Sequence, residues 1–120
     1  MKWKVLCVDD DKLGLQVRKE LLEIAGYEVI AAVDPVCALK LFAECEFDLA
    51  IVDFHLGEDT INGSQLARLM KRLRPNIPLV MLTADTHISE EDKRTVDVCL
   101  FKGTGSPDKL HVTLKQLFKK

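Results

Sequence analysis

No two of the four cysteines, Cys7, Cys37, Cys45 and Cys99, stand in a C-x-x-C spacing, which removes the usual signature of a redox pair or a thiolate metal site. They read instead as small apolar residues, with Cys7 and Cys99 inside strand candidates. No apolar run approaches the roughly 18 to 20 residues that cross a bilayer, and Met1-Lys2-Trp3-Lys4 leads straight into a short strand rather than a signal-peptide core. A cytoplasmic protein with no membrane contact is expected. Basic residues gather nowhere: 17 Lys and Arg against 19 Asp and Glu leave a net charge of -2, so direct nucleic-acid binding is not expected. Internal repeats and low-complexity linkers are missing too. At 120 residues, 48% of them hydrophobic, the chain is expected to build one domain over residues 1–120, with a real core and no second module.

What is present is an alternation of apolar runs with helical periodicity, the pattern of a βαβ chain. Strand one is expected over Lys4 to Asp9. Leu13, Val17, Leu21 and Ile24 then recur at helical spacing through Ala25, with Asp11 placed to cap the start and Gly26 the end. Glu28 to Ala32 reads as strand two, and Asp34-Pro35 as an N-cap and first-turn proline opening a helix to about Cys45. Strand three is Asp48 to Asp53. A polar stretch, Phe54 to Ile61, leads to Asn62, after which Leu66, Leu69, Met70 and Leu73 mark a helix that Arg74-Pro75 ends. Strand four is Leu79 to Thr83. The charged segment Ile88 to Val96 predicts a fourth helix, weakly anchored and the most mobile. Strand five is Val98 to Phe101, and Leu110, Leu114, Leu117 and Phe118 place a closing helix over about Pro107 to Lys119.

Continuously apolar strands such as LAIV and LVML suit a parallel sheet covered on both faces. Right-handed crossovers leave few arrangements of five such strands. The expected fold is α/β: a flavodoxin-like (βα)5 doubly wound parallel five-stranded sheet in the order 2-1-3-4-5, with the crevice between strands one and three. Four of the five runs stop on a residue useful to phosphoryl chemistry: Asp10, Asp53, Thr83 and Lys102. The order brings Asp9 and Asp10 beside Asp53, at the strand spacing of about 4.8 Å. Trp3 starts strand one at the end remote from this edge.

Each residue alone has an ordinary explanation, since strand-end acids cap helices, a threonine finishes a turn and a lysine is solvated. Their convergence on one crevice is not ordinary. Carboxylates so close repel, and a divalent cation resolves the repulsion. The chemistry that uses this set is phosphoryl transfer to a carboxylate: Asp53 as nucleophile, Mg²⁺ held by Asp10 and Asp53 with Asp9 in the outer shell, Lys102 as a point charge on the phosphoryl oxygens and Thr83 as a hydroxyl donor.

The motifs V-D-D at Val8 to Asp10, I-V-D at Ile51 to Asp53, L-T-A at Leu82 to Ala84 and F-K at Phe101-Lys102 resemble the receiver domain of two-component response regulators over essentially the whole chain. The resemblance implies phosphorylation of Asp53 by a sensor histidine kinase or phosphotransfer protein. It also implies Mg²⁺ bound through Asp10, Asp53 and the main-chain carbonyl of His55, and a switch through Thr83 that reshapes the surface from Ile88 to Lys109 for a downstream protein. Side chains at His55 and Asp85 are implied to tune loss of the phosphoryl group. Such a domain is not an enzyme on a separate substrate; it catalyses only its own phosphorylation and dephosphorylation. Three departures stand out: Gly103 follows Lys102 where proline is usual, Cys99 occupies the place of an aromatic ring, and Leu56 to Gly63 is about two residues longer than usual, adding Glu58 and Asp59. An atypical output partner is the expectation. The rival readings are a pseudo-receiver that acts by docking without phosphorylation, a small Mg²⁺-dependent hydrolase with His55 as its proton-transfer group, and a flavin carrier. The acidic Asp9-Asp10-Asp11-Lys12 turn opposes the last of these.

Overall fold

Strands β1 (Lys4–Val8), β2 (Glu28–Ala32), β3 (Leu49–Val52), β4 (Leu79–Thr83) and β5 (Val98–Phe101) form one parallel sheet in the order β2-β1-β3-β4-β5. Helices α1 (Lys12–Ile24), α2 (Pro35–Glu44), α3 (Gly63–Leu73), α4 (Glu90–Lys93) and α5 (Asp108–Phe118) connect and cover it. This computed structural model describes residues 2–103 and 108–119, so the expected start of the closing helix at Pro107 lies outside the described residues.

The inner strands β3 and β4 are buried along their whole length and apolar but for Thr83 at the end of β4, as suits a sheet covered on both faces. Alternate residues of β1, β3 and β4 serve opposite faces. Leu6, Val8, Ala50, Val52 and Met81 pack with Phe42 of α2 and with Leu66 and Met70 of α3. On the other face Val5, Cys7, Leu49, Ile51, Val80 and Leu82 pack with Leu15 and Leu22 of α1 and with Leu110 and Leu114 of α5. Phe42, Leu66 and Met70 are fully buried, each burial contributing about 1.5 to 3 kcal/mol. At the far end of the sheet, before β1, Trp3 stacks on Phe118 with ring centroids 4.5 Å apart and planes 4° from parallel.

Local chemistry sets the helix ends. The Asp11 carboxylate accepts from Gly14 N at 3.2 Å and caps α1. Gly26, at φ +104, closes that helix: its N–H donates to Glu23 O, and Tyr27 N–H to Leu22 O, the paired bonds of a Schellman turn. Asp34 caps α2 ahead of Pro35. Asn62 and Gln65 exchange bonds in a capping box at the start of α3.

Two expectations change. Leu13, Val17, Leu21 and Ile24, whose spacing marks α1, are all exposed, and the buried face of the helix is Leu15 and Leu22. The helix carries two apolar stripes, and the sheet takes the shorter one. The expected helix over Ile88 to Val96 is a single turn, Glu90–Lys93. Thr95 Oγ1 donates back to the Asp92 carbonyl at 2.6 Å. Asp97 already belongs to the sheet, its N–H bonding Leu79 O and its carboxylate accepting from Leu79 N at 2.7 Å. The chain must leave the helix early to make those bonds. The turn is tied to α3 by Ser64 Oγ, which donates to Asp92 Oδ1 at 2.7 Å.

Candidate functional site

The register that pairs Val8 with Val52 puts Asp9 and Asp53 side by side, one residue beyond β1 and β3. Asp53 N–H donates to Val8 O at 3.0 Å. Thr83 pairs with Phe101 at the ends of β4 and β5, and Lys102 N–H donates to Thr83 O at 2.8 Å, which launches the lysine side chain back across the sheet edge. Gly103, at φ +84, turns the chain away immediately afterwards, a left-handed conformation that glycine adopts without steric cost.

Ligand oxygens of Asp9, Asp10 and Asp53 all lie within 4.8 Å of one another. Asp9 is fully buried, Asp53 is 8% exposed and Asp10 faces solvent. Lys102 Nζ bonds Asp9 Oδ2 at 2.7 Å and Asp53 Oδ2 at 3.0 Å. The second oxygen of each acid is held by main chain: Asp11 N donates to Asp9 Oδ1 at 3.0 Å and Phe54 N to Asp53 Oδ1 at 2.7 Å. A further cation, Arg18 of α1, reaches Asp9 Oδ2 at 3.3 Å.

These contacts split the two acids. Burial pushes the Asp53 carboxyl above the usual carboxylate range; the Lys102 ammonium and the Thr83 hydroxyl work against this and the Asp9 charge adds to it. Burial also acts on Asp9, but bonds from Lys102 and Asp11 N–H, with the charges of Lys102 and Arg18, outweigh it and hold the carboxyl below its ordinary range. Burial opposes the charge on Lys102, yet its two carboxylate partners raise the pKa of the ammonium.

All the sequence-predicted acids and Lys102 are therefore brought together. Thr83 is buried at the same edge, its Oγ1 accepting from Asp85 N at 3.2 Å. The His55 side chain is engaged elsewhere: Nε2 lies 2.6 Å from Asp85 Oδ2, and that bond, with one from His87 N–H, holds the Asp85 carboxyl below its usual range. Arg18 was not anticipated. Its signal was a charged residue three after Leu15 and four before Leu22, the true buried face. An all-oxygen donor set of this span suits a hard divalent cation, so the residues fit the implied Mg²⁺.

A family model, the response regulator receiver domain, matches residues 5–111. The chain belongs to that family. Among curated relatives of the receiver domain, the polar-differentiation response regulator DivK of Brucella anthropi is 30% identical over 96 residues, covering 78% of this chain and 76% of DivK. A two-component response regulator of Arabidopsis thaliana is 32% identical over 93 residues, 76% of this chain. The sensor protein EvgS of Escherichia coli O157:H7 is 30% identical over 104 residues, 84% of this chain. The receiver spans only 15% of the Arabidopsis protein and 8% of EvgS. In structure it superposes on the response regulator TrrA of Thermotoga maritima in complex with Mg²⁺-BeF, with TM-score 0.89 and 29% identity over 98% of this chain and all of that one. Among the described residues no helix is long and apolar enough to cross a membrane.

Proposed function

We propose that this receiver is phosphorylated on Asp53 by a sensor histidine kinase or phosphotransfer protein, in a Mg²⁺-dependent reaction in the cytoplasm, and that the modification alters its α4-β5-α5 surface. The observation that carries this reading is Lys102 Nζ resting on Asp53 Oδ2 and Asp9 Oδ2 together. The lysine is already at the acceptor, beside a set of acids suited to a divalent ion. An Asp53 carboxylate oxygen attacks phosphorus, the P–N bond of a phosphohistidine breaks, and the imidazole leaves with the electron pair. Asp10, Asp53 and the His55 main-chain carbonyl would hold Mg²⁺, with Asp9 behind them, since both Asp9 oxygens are already engaged. That ion supplies positive charge to the transferring phosphoryl oxygens.

The product carries about -1.5 to -2 charges at this edge. Lys102 shifts its bond to the new oxygens, and the Thr83 hydroxyl, whose oxygen accepts from Asp85 N–H, donates its proton to them. Thr83 precedes, and Lys102 lies within, the segment from Ile88 to Lys109, which becomes the output surface; residues 104–107 of it lie outside the described residues. Cys99, half-buried against the core, gives this surface no ring to move, which supports an atypical partner. The exposed stripe Leu13, Val17, Leu21 and Ile24 on the helix that leaves the acid cluster suits docking of a helical phosphodonor.

Incubation with a small phosphodonor and Mg²⁺, read by intact mass, tests the proposal. One phosphoryl adduct on the wild type and none on Asp53→Asn is expected. An unmodified wild type that also binds no Mg²⁺ returns the chain to the pseudo-receiver reading.

A further inference from the structure

Arg18 sits on the buried stripe of α1 between Leu15 and Leu22, and only 14% of its side chain is exposed. A guanidinium in an apolar stripe requires an anionic partner. That partner is Asp9 Oδ2, at 3.3 Å, on the same oxygen that receives Lys102 at 2.7 Å. The stem reaches it along a groove of about 430 Å³ between α1 and α5, where Gly14, one turn earlier, contributes no side chain and Leu82, Leu110, Asp108 and His111 form the other wall.

We infer that Arg18 is a positioning residue of the phosphorylation site: a fixed second cation that holds Asp9, competes with the metal for the acid cluster and frees Lys102 to follow the phosphoryl group. This inference rests on the proposed receiver chemistry. The charges argue for it. Asp9, Asp10 and Asp53 face Lys102 and Arg18, a net charge of -1. Without Arg18 the same pocket would hold -2 and attract a dication more strongly.

Phosphorylation pulls Lys102 towards the new oxygens, and a buried Asp9 left alone would resist by holding it. Arg18 remains on Asp9 through this exchange because its anchor is α1, not the strand edge. The arrangement trades metal affinity for a movable lysine.

Calorimetric Mg²⁺ titration of wild type, Arg18→Met and Arg18→Lys tests the inference, with metal-free thermal melts confirming that each variant is folded. The Met variant is expected to bind Mg²⁺ about three- to tenfold more tightly, the effect of removing one unit charge near the site in a medium of intermediate dielectric. The Lys variant is expected within about twofold of wild type, because the charge is restored. Damage to the fold would weaken binding, so tightening is specific to charge competition. Unchanged or weaker binding by the Met variant, with a wild type that does bind, overturns the role of Arg18 and leaves the receiver reading standing; a wild type that binds no Mg²⁺ brings down both. Should the Met variant not fold, Arg18→Gln is read in its place.

Discussion

Gly63, the first residue of α3, packs its α-carbon against the main-chain carbonyl of Asp53, so close that a β-carbon would collide with that oxygen and with Phe54 Cα. Its N–H also donates to Phe54 O at 2.7 Å. Asp53, the proposed phosphoryl acceptor, is therefore braced from below by the start of a helix whose cap, Asn62, is the preceding residue. Gly63→Ala is expected to cost about 2 to 3 kcal/mol through overpacking and to slow adduct formation by displacing Asp53. Urea denaturation and the intact-mass assay check both; wild-type values in either would dismiss the brace.

Asp9 and Asp53 share Lys102 but differ in what the fold gains from their charge. Burial raises the Asp53 pKa, so its ionised form costs stability near neutral pH. Asp53→Asn should melt above the wild type in metal-free buffer, and added Mg²⁺ should narrow the gap by stabilising the wild type more. Asp9→Asn should melt below it, losing about 2 to 4 kcal/mol because Arg18 and Lys102 are left facing an uncharged, buried partner. Differential scanning fluorimetry with and without Mg²⁺ separates the two; shifts of the same sign would contradict this division.

The pH dependence follows the same directions. Asp9 is easier to ionise in the fold than in the unfolded chain, so its contribution is complete above about pH 4 and disappears as the pH falls through its lowered folded value. Lys102 is harder to deprotonate when folded, so its contribution is complete below about pH 10 and is lost as the pH rises through its raised folded value. Asp53 runs against Asp9: the fold holds its proton after the unfolded chain has released it, which lowers stability as pH rises from about 4. The stability advantage of Asp53→Asn over the wild type is therefore expected to grow through that window. Chemical denaturation at a series of pH values measures it, and an advantage independent of pH would refute the assignment.

Cys7 is fully buried and its thiol is pushed up to about 12 by burial, with Arg18 opposing and Asp9 adding, whereas Cys37 is exposed on the first turn of α2. Since the thiolate is the nucleophile, iodoacetamide near pH 8 should alkylate Cys37 first and reach Cys7 only on unfolding. Peptide mapping over time tests this order. Early labelling of Cys7 would mean that β1 opens.

Much of the fold and site was legible because the strands end where chemistry begins. Val8-Asp9, Val52-Asp53 and Phe101-Lys102 each mark an apolar run stopping at a polar group, and a parallel sheet needs no further information to gather such ends at one edge. The face of α1 was not legible from spacing, because the exposed Leu13, Val17, Leu21 and Ile24 repeat more regularly than the buried Leu15 and Leu22. That concealed Arg18, whose partner is nine positions earlier in sequence and lies outside the helix, in the turn after β1. The length of α4 was hidden for a similar reason: Asp92 is claimed by Ser64, and Asp97 by Leu79 N–H and Lys71. Such long-range bonds leave no periodic trace.

The ring stack of Trp3 on Phe118 makes the protein's one tryptophan a gauge of how the last helix is seated. It joins the two ends of the chain across the bottom of the sheet, opposite the acids. Indole emission therefore reports the docking of α5, so an optical signal evoked by phosphorylation would have travelled the length of the fold.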